Sequence, residues 1–301
     1  MTTRAHPLTA RLTLFPAPSP VRAAPELGED VWVKDDAAIG GNKVRKLEYT
    51  LADARRRGRR SVLTFGAAGS HHALATAEVA RALGMSAVLA LVDQPESEHG
   101  AQMRERLAAS GARVLRTRTT ARTLAALPWL LARHRPYVLP VGGSSALGVL
   151  GFAEAAIELA AQVAGGRLPE PATIVVAAGS GGTAAGLHLG LGIAGLRSRV
   201  LGVLVNDRTR VDPDRLARRA ARRIGAPEPA GGIAMTRDFL GPGYGHETPQ
   251  AARAIALARA AGLELEPVYS GKALAALLEL RPPGPVLFWQ TYAPAVPSAA
   301  D

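Results

Sequence analysis

Cysteine is absent from the 301 residues, so disulfides, thiolate metal sites and cysteine nucleophiles are excluded. Lysine is nearly as scarce: only Lys34, Lys43, Lys46 and Lys272 occur, leaving arginine as 32 of the 36 basic residues. Aromatic residues make up 4%, too few for the stacking platforms that single-stranded nucleic acid requires. Acidic residues number 25, so the formal charge is +11. The arginines cluster in alanine-rich stretches at 55–60 and 218–223, which read as solvated helix faces. No zinc-finger spacing or RNA-binding signature accompanies them, and no nucleic-acid partner is expected. Long apolar runs are lacking as well. The uncharged stretch 171–196 is rich in glycine and suits a buried strand, loop and helix better than a membrane span. The first 25 residues break on Pro7, Pro16, Pro18 and Pro20, so no targeting segment is read there. A cytoplasmic protein without membrane contact is expected.

With 48% hydrophobic and 20% charged residues, the chain can bury a sizeable core. Short apolar runs alternate with longer Ala/Leu-rich patterns, which marks parallel α/β layers. Strands are predicted over 31–33, 61–65, 86–91, 113–116, 137–140, 173–178, 200–205 and 286–288. Helices are predicted over 46–57, 72–83, 100–110, 121–133, 146–163, 183–196, 212–224 and 248–261. The expected fold is α/β, with two open, mostly parallel twisted sheets flanked by helices. Residues 1–45 and 147–301 would form the large unit and 46–146 the small one. A ligand crevice belongs between them, at the carboxyl ends of their strands.

The segment Gly179-Ser180-Gly181-Gly182-Thr183 follows a predicted strand and precedes a predicted helix. Its glycines let backbone N–H groups approach an anion, and the helix N-terminus favours negative charge. No Lys-Ser/Thr follows, so it is not a nucleoside-triphosphate loop. Two phosphates remain open. Gly179-x-Gly181-x-x-Ala184 fits a loose dinucleotide fingerprint, with Asp207 as the ribose acid of a nicotinamide-dependent oxidoreductase. The alternative is pyridoxal 5′-phosphate, which needs a lysine partner.

Gly40-Gly41-Asn42-Lys43-Val44-Arg45-Lys46-Leu47-Glu48-Tyr49 places two of the four lysines three residues apart at a loop-to-helix junction. Arginine matches lysine as a solvated charge but cannot form an imine, which singles these lysines out. The plain reading is that Lys43 bonds a helix end. Ser70, His71 and His72 form a third cluster. Adjacent helical histidines point about 100° apart, which makes joint metal ligation poor, and no metal is expected. No second glycine follows Ser70 in hydrolase spacing.

The decapeptide at 40–49 closely resembles the lysine motif of the 1-aminocyclopropane-1-carboxylate deaminases and D-cysteine desulfhydrases. These are pyridoxal-phosphate enzymes of the tryptophan-synthase-β-like superfamily, fold type II. The resemblance extends through Lys34-Asp35-Asp36, Gly69-Ser70-His71-His72, 142–148, 179–186, 241–245 and 267–272, nearly the whole chain. It implies that Lys43 bonds pyridoxal phosphate and moves the substrate Cα proton. Gly179, Ser180, Gly181, Gly182 and Thr183 would hold the phosphate, with Asn42 beside them. Ser70, His71 and His72 would meet the substrate carboxylate and the cofactor ring oxygen. Tyr244 and Tyr269 match tyrosines that approach the substrate.

Four departures from that pattern stand out. The loop 37–39 is about three residues short. His71 replaces an asparagine. Ser270 stands where the deaminases carry a glutamate facing the pyridine nitrogen, leaving Ser270 or Thr291 as the ring partner. Tyr292 and Ala293 replace two glycines near the substrate. A hydroxyl supports the electron sink less than a carboxylate does, which favours α,β-elimination over cyclopropane opening. The expected function is a lyase acting on a small amino acid and giving an oxo acid and ammonia. The alternatives are deaminase-like ring opening or a repurposed, non-catalytic relative. A homodimer is the expected assembly.

Overall fold

Ten strands and nine α-helices alternate among the described residues of a computed structural model, which are 10–208, 210 and 212–294. The first half contains β1 (Val21–Ala23), β2 (Val31–Asp35), α1 (Asn42–Arg56), β3 (Ser61–Ala67), α2 (His71–Ala82), β4 (Ser86–Val92), α3 (Glu98–Ala109), β5 (Arg113–Arg118), α4 (Thr120–His134) and β6 (Tyr137–Leu139). The second contains α5 (Leu150–Ala164), β7 (Thr173–Ala178), α6 (Gly182–Ala194), β8 (Arg199–Leu204), α7 (Pro213–Ile224), β9 (Ala234–Thr236), α8 (Pro249–Ala260), α9 (Ser270–Leu280) and β10 (Val286–Gln290).

Two sheets result, ordered β1-β2-β10-β7-β8-β9 and β5-β4-β3-β6. Every neighbouring pair is parallel except β1 with β2. This is the expected pair of open, mostly parallel sheets. Helices cover their faces, and the central strand β7 is buried at all six positions, as a parallel strand between helix layers must be. The expected boundary at 45/46 falls inside α1, which runs from one sheet to the other. No helix of the described residues is long and apolar enough to cross a membrane.

Four elements differ from the sequence reading. Strands β1 and β9, three residues each, are too short to show a period. Helix α9 lacks a Ser/Thr/Asp/Asn cap and was not anticipated. Helix α1 starts at Asn42 rather than 46, because Gly40 and Gly41 take φ of 88° and 83° and turn the chain directly into it. Lys43 therefore sits in a helix's first turn.

Buried charge fixes where α1 begins. The Arg45 guanidinium meets Asp36 at 2.8 Å and Glu158 at 3.1 Å, and Lys34 meets Glu158 at 2.5 Å. Trp289 Nε1 donates to Asp36 at 2.9 Å. The network joins β2, α1, α5 and β10, and each ion's burial is offset by several partners. Removing one partner would strand the others. Small residues set the second anchor: a Cβ at Gly186 or Gly190 would lie 2.3 or 2.2 Å from a carbonyl of Val149 or Ala153. The α5–α6 contact is therefore backbone-close, and it holds the N-terminus of α6 in place.

Candidate active site

A cavity of about 420 Å³ opens at the carboxyl ends of β3, β4, β7 and β10. Its walls include Asn42, Lys43, Ser70, His71, His72, Gly179, Ser180, Gly181, Gly182, Thr183, Tyr244, Tyr269, Thr291 and Tyr292. Of the residues singled out in the sequence, Ser270 does not line it. Its hydroxyl donates to Glu266 Oε1 at 3.1 Å and accepts the Glu266 N–H at 3.0 Å. The Ser270 hydroxyl is thus engaged in the turn ahead of α9, and of the two candidate ring partners Thr291 lines the cavity.

Lys43 reaches into the cavity, with Nζ 5.9 Å from the centre of the Tyr269 ring. Burial pushes its ammonium down to about 8, and Glu266 opposes that shift. Such a lysine stays mostly protonated at pH 7 but keeps a neutral fraction of about a tenth, far more than an ordinary lysine, and that fraction can take a proton. Around it, the Asn42 N–H donates to the Thr291 carbonyl at 3.0 Å and the Asn42 amide donates to Thr183 Oγ1 at 3.3 Å.

On one side two glycine loops face each other. A Cβ at Gly182 would lie 2.2 Å from Ser144 Oγ, and one at Gly142 would lie 2.2 Å from Ser180 Oγ. Ser144 and Ser180 share a hydrogen bond of 2.7 Å. The α6 N-cap is Gly181, with φ of 76° and no side-chain cap, so the first N–H groups of the helix point outward without a side-chain acceptor. Beside them Lys46 is 1% exposed. Its Nζ donates to the Gly142 carbonyl at 3.2 Å and to Ser144 Oγ at 3.4 Å, with no carboxylate partner among the described residues. Burial, with Lys43 nearby, lowers its pKa well below the usual range. A buried amine with no carboxylate partner next to an uncapped helix end gives up its proton readily when alone, and a phosphate dianion placed there would hold it charged. The residues present fit the phosphate of pyridoxal phosphate.

Across the cavity, Ser70 caps α2: its Oγ accepts the Ala73 N–H at 3.3 Å. His72 is 2% exposed and bonds Thr64 Oγ1 at 3.0 Å, so it packs the wall. His71 meets His99 instead, Nε2 to Nε2 at 2.8 Å. Burial holds both α2 histidines well below the usual imidazole range, helped for His71 by His99 and Lys43 and for His72 by Lys43 and Lys46. The tyrosine pair is joined directly, Tyr269 donating to Tyr244 over 3.0 Å, and burial raises both phenols. Asp207 accepts the Tyr244 N–H at 3.1 Å. It holds this loop in place and does not line the cavity, which leaves the dinucleotide alternative without its ribose acid there.

Three residues here escaped the sequence reading. Lys46 was visible only as the rival of Lys43. Glu266, 3% exposed, accepts the N–H groups of Val268 (2.8 Å), Tyr269 (2.8 Å) and Ser270 (2.6 Å), so a glutamate four residues before α9 caps it. His99 lies in no motif. Ligand atoms of His71, His99 and Glu266 fall within 4.8 Å of one another, close enough that a metal ion has to be considered there.

Residues 12–289 match the family of pyridoxal-phosphate dependent enzymes. The chain is 36% identical to a D-cysteine desulfhydrase of Klebsiella pneumoniae (strain 342), across 93% of each protein. It is also 36% identical to a D-cysteine desulfhydrase of Yersinia enterocolitica, across 90% of this chain and 88% of the relative. A solved structure of an ACC deaminase homologue superposes with a TM-score of 0.82 at 32% identity, covering 96% of this chain and 93% of that one. A pyridoxal 5′-phosphate-dependent aspartate racemase, at 15% identity and a TM-score of 0.67, shares the fold.

Proposed function

The chain belongs to the family of pyridoxal-phosphate dependent enzymes, within its D-cysteine desulfhydrase and ACC deaminase branch, and from that premise we propose that it removes a β-substituent from a small amino acid. The products would be an oxo acid and ammonia. The observation that carries this reading is Lys43, a lysine with its pKa pushed down to about 8, opening on a cavity whose far wall suits a phosphate.

When bound, pyridoxal phosphate supplies an electron sink for charge developing at the substrate Cα. The chain's own residues supply the rest. Gly179 to Thr183 and Lys46 hold the phosphate, Asn42 braces Thr183, and Thr291 offers the ring a hydroxyl. Ser70 and the first turn of α2 receive the substrate carboxylate, because a helix N-terminus favours an anion. Lys43 takes the Cα proton, and its lowered pKa matches that task at neutral pH. Tyr244 and Tyr269 flank the substrate with neutral hydroxyls, since burial keeps both protonated. Tyr292 narrows the entrance beside His71.

Glu266 also lines the cavity, but its carboxylate is taken up by the N–H groups of residues 268–270, which leaves Thr291 as the ring's hydroxyl partner and supports elimination of a good leaving group over ring opening. The 36% identity to two D-cysteine desulfhydrases supports the same choice. Residues 1–45 with 147–301 and residues 46–146 are the two units of this reading, and a homodimer is its assembly, checked by sedimentation. The substrate test is a panel of D- and L-amino acids with β-leaving groups, together with 1-aminocyclopropane-1-carboxylate. Sulfide and ammonia released from D-cysteine by the cofactor-loaded enzyme is the expected result. Turnover of the cyclopropane substrate alone would reverse the assignment.

A further inference from the structure

His71 and His99 come from different helices, at the N-terminal ends of α2 and α3, and meet beside the cavity. Their Nε2 atoms are 2.8 Å apart, their ring centres 5.0 Å, and their planes differ by 24°. The centre separation is close to the N–N distance plus two ring radii, so the rings lie end to end. In that arrangement the two Nε2 positions aim at each other, which is the geometry of N–H···N. A metal ion would need both lone pairs to converge on a third point about 2.0–2.1 Å from each nitrogen. Glu266 is near, but its oxygens already accept three backbone N–H groups. The gap therefore suits one proton rather than a metal ion.

Tyr292 fixes the pair from the side, its ring edge-on to His71 at 5.2 Å and to His99 at 6.1 Å. The charged and titratable groups facing the pair are Lys43 from α1, Arg106 from α3, Glu266 and Tyr269 ahead of α9, Tyr244 from the loop before α8, and Tyr292 after β10. Two cations against one carboxylate favour an uncharged pair. In an uncharged pair the shared proton decides the state of both outer nitrogens. If it rests on His99, His71 carries N–H at Nδ1; if on His71, that Nδ1 is an acceptor. The His71 Nδ1 makes no hydrogen bond to a described residue, and His71 lines the cavity. His99 is half-buried and partly open to the exterior.

We propose that His71 and His99 form a two-imidazole relay that carries one proton between the cavity and the exterior. In delivery, His71 gives its Nδ1 proton to the group departing from the substrate. His99 passes its Nε2 proton to His71 Nε2 and gains one from water at Nδ1. Each ring loses one N–H bond and gains one, so the pair stays uncharged, and the reverse transfer resets it. His71 is the catalytic member and His99 acts through it. The relay rests on the elimination reading for the identity of the departing group, whereas the shared proton does not.

The test begins with ¹⁵N-histidine-labelled protein without added cofactor. The expected result is two Nε2 signals coupled through one proton, a coupling that His99→Phe abolishes. In the cofactor-loaded enzyme, His99→Phe should lower kcat about 100-fold with KM within about twofold, and remove an inflection from the kcat–pH profile. His99→Gln, which also lacks a transferable ring proton, gives the same loss and serves if the phenylalanine variant does not fold. Uncoupled signals, or an unchanged kcat and pH profile in both variants, would overturn the relay. So would uptake of one Zn²⁺ per chain that shifts both histidines. Coupled signals in a protein that bonds no cofactor would sink the elimination reading and leave the shared proton standing.

Discussion

Two helix N-termini face the cavity, and they are finished differently. Helix α6 has glycine at its cap, no side-chain acceptor, and beside it the buried Lys46 amine with no carboxylate partner, which an anion would hold charged. Helix α2 is closed by Ser70, whose hydroxyl already satisfies the Ala73 N–H, and burial holds its neighbours His71 and His72 neutral. An anion at α6 gains open N–H groups and a nearby charge together. At α2 it gains only part of one turn. The first end suits a permanent dianion and the second a single carboxylate that must enter and leave, which is how a cofactor site differs from a substrate site.

Variants can break this comparison, beginning with the largest effect. Lys43→Ala should abolish turnover, by at least about 10³-fold, while the protein still binds pyridoxal phosphate reversibly at α6; steady-state assays and cofactor titration read the two separately. Gly182→Ala puts a Cβ into Ser144 and should weaken cofactor binding at least about 100-fold. The same change at Gly192, where the nearest atoms lie 3.7 Å away, should leave binding unaltered. Lys46→Met should weaken binding about 10- to 100-fold, the loss of one charge-assisted hydrogen bond, by the same titration. Ser70→Ala should raise KM several-fold and cost about 1 kcal/mol of stability as a lost helix cap, with cofactor affinity unchanged.

A pH experiment sharpens the same contrast. Lys43 binds its proton more weakly folded, at about 8, than unfolded, near 10.5. Between those values the unfolded chain holds more protons, so the stability of the cofactor-free protein should rise with pH through that window. Lys43→Met should flatten the rise, measured as unfolding midpoints in denaturant.

Much of this contrast was legible in the sequence. The strand-to-helix glycine turn at 179–183 announces an anion site, because no other residue lets backbone approach that closely. Scarcity of lysine drew attention to 43 and 46, yet composition could not divide their roles. Only the fold turns one toward the cavity and the other under the 142–144 loop. Glu266 stayed hidden because a glutamate capping four residues ahead of a helix has no common signature. His99 stayed hidden because its partner is 28 residues away on another helix. Ser270 lies outside the cavity lining for a local reason no sequence pattern shows: its hydroxyl bonds the Glu266 carboxylate ahead of α9.

The division of labour between the two lysines is tested most directly by borohydride reduction of the cofactor-loaded protein, followed by peptide mapping. The label should fall on Lys43, with Lys46 unmodified. Label on Lys46, Lys34 or Lys272, or no label on a protein that binds the cofactor, would contradict the assignment.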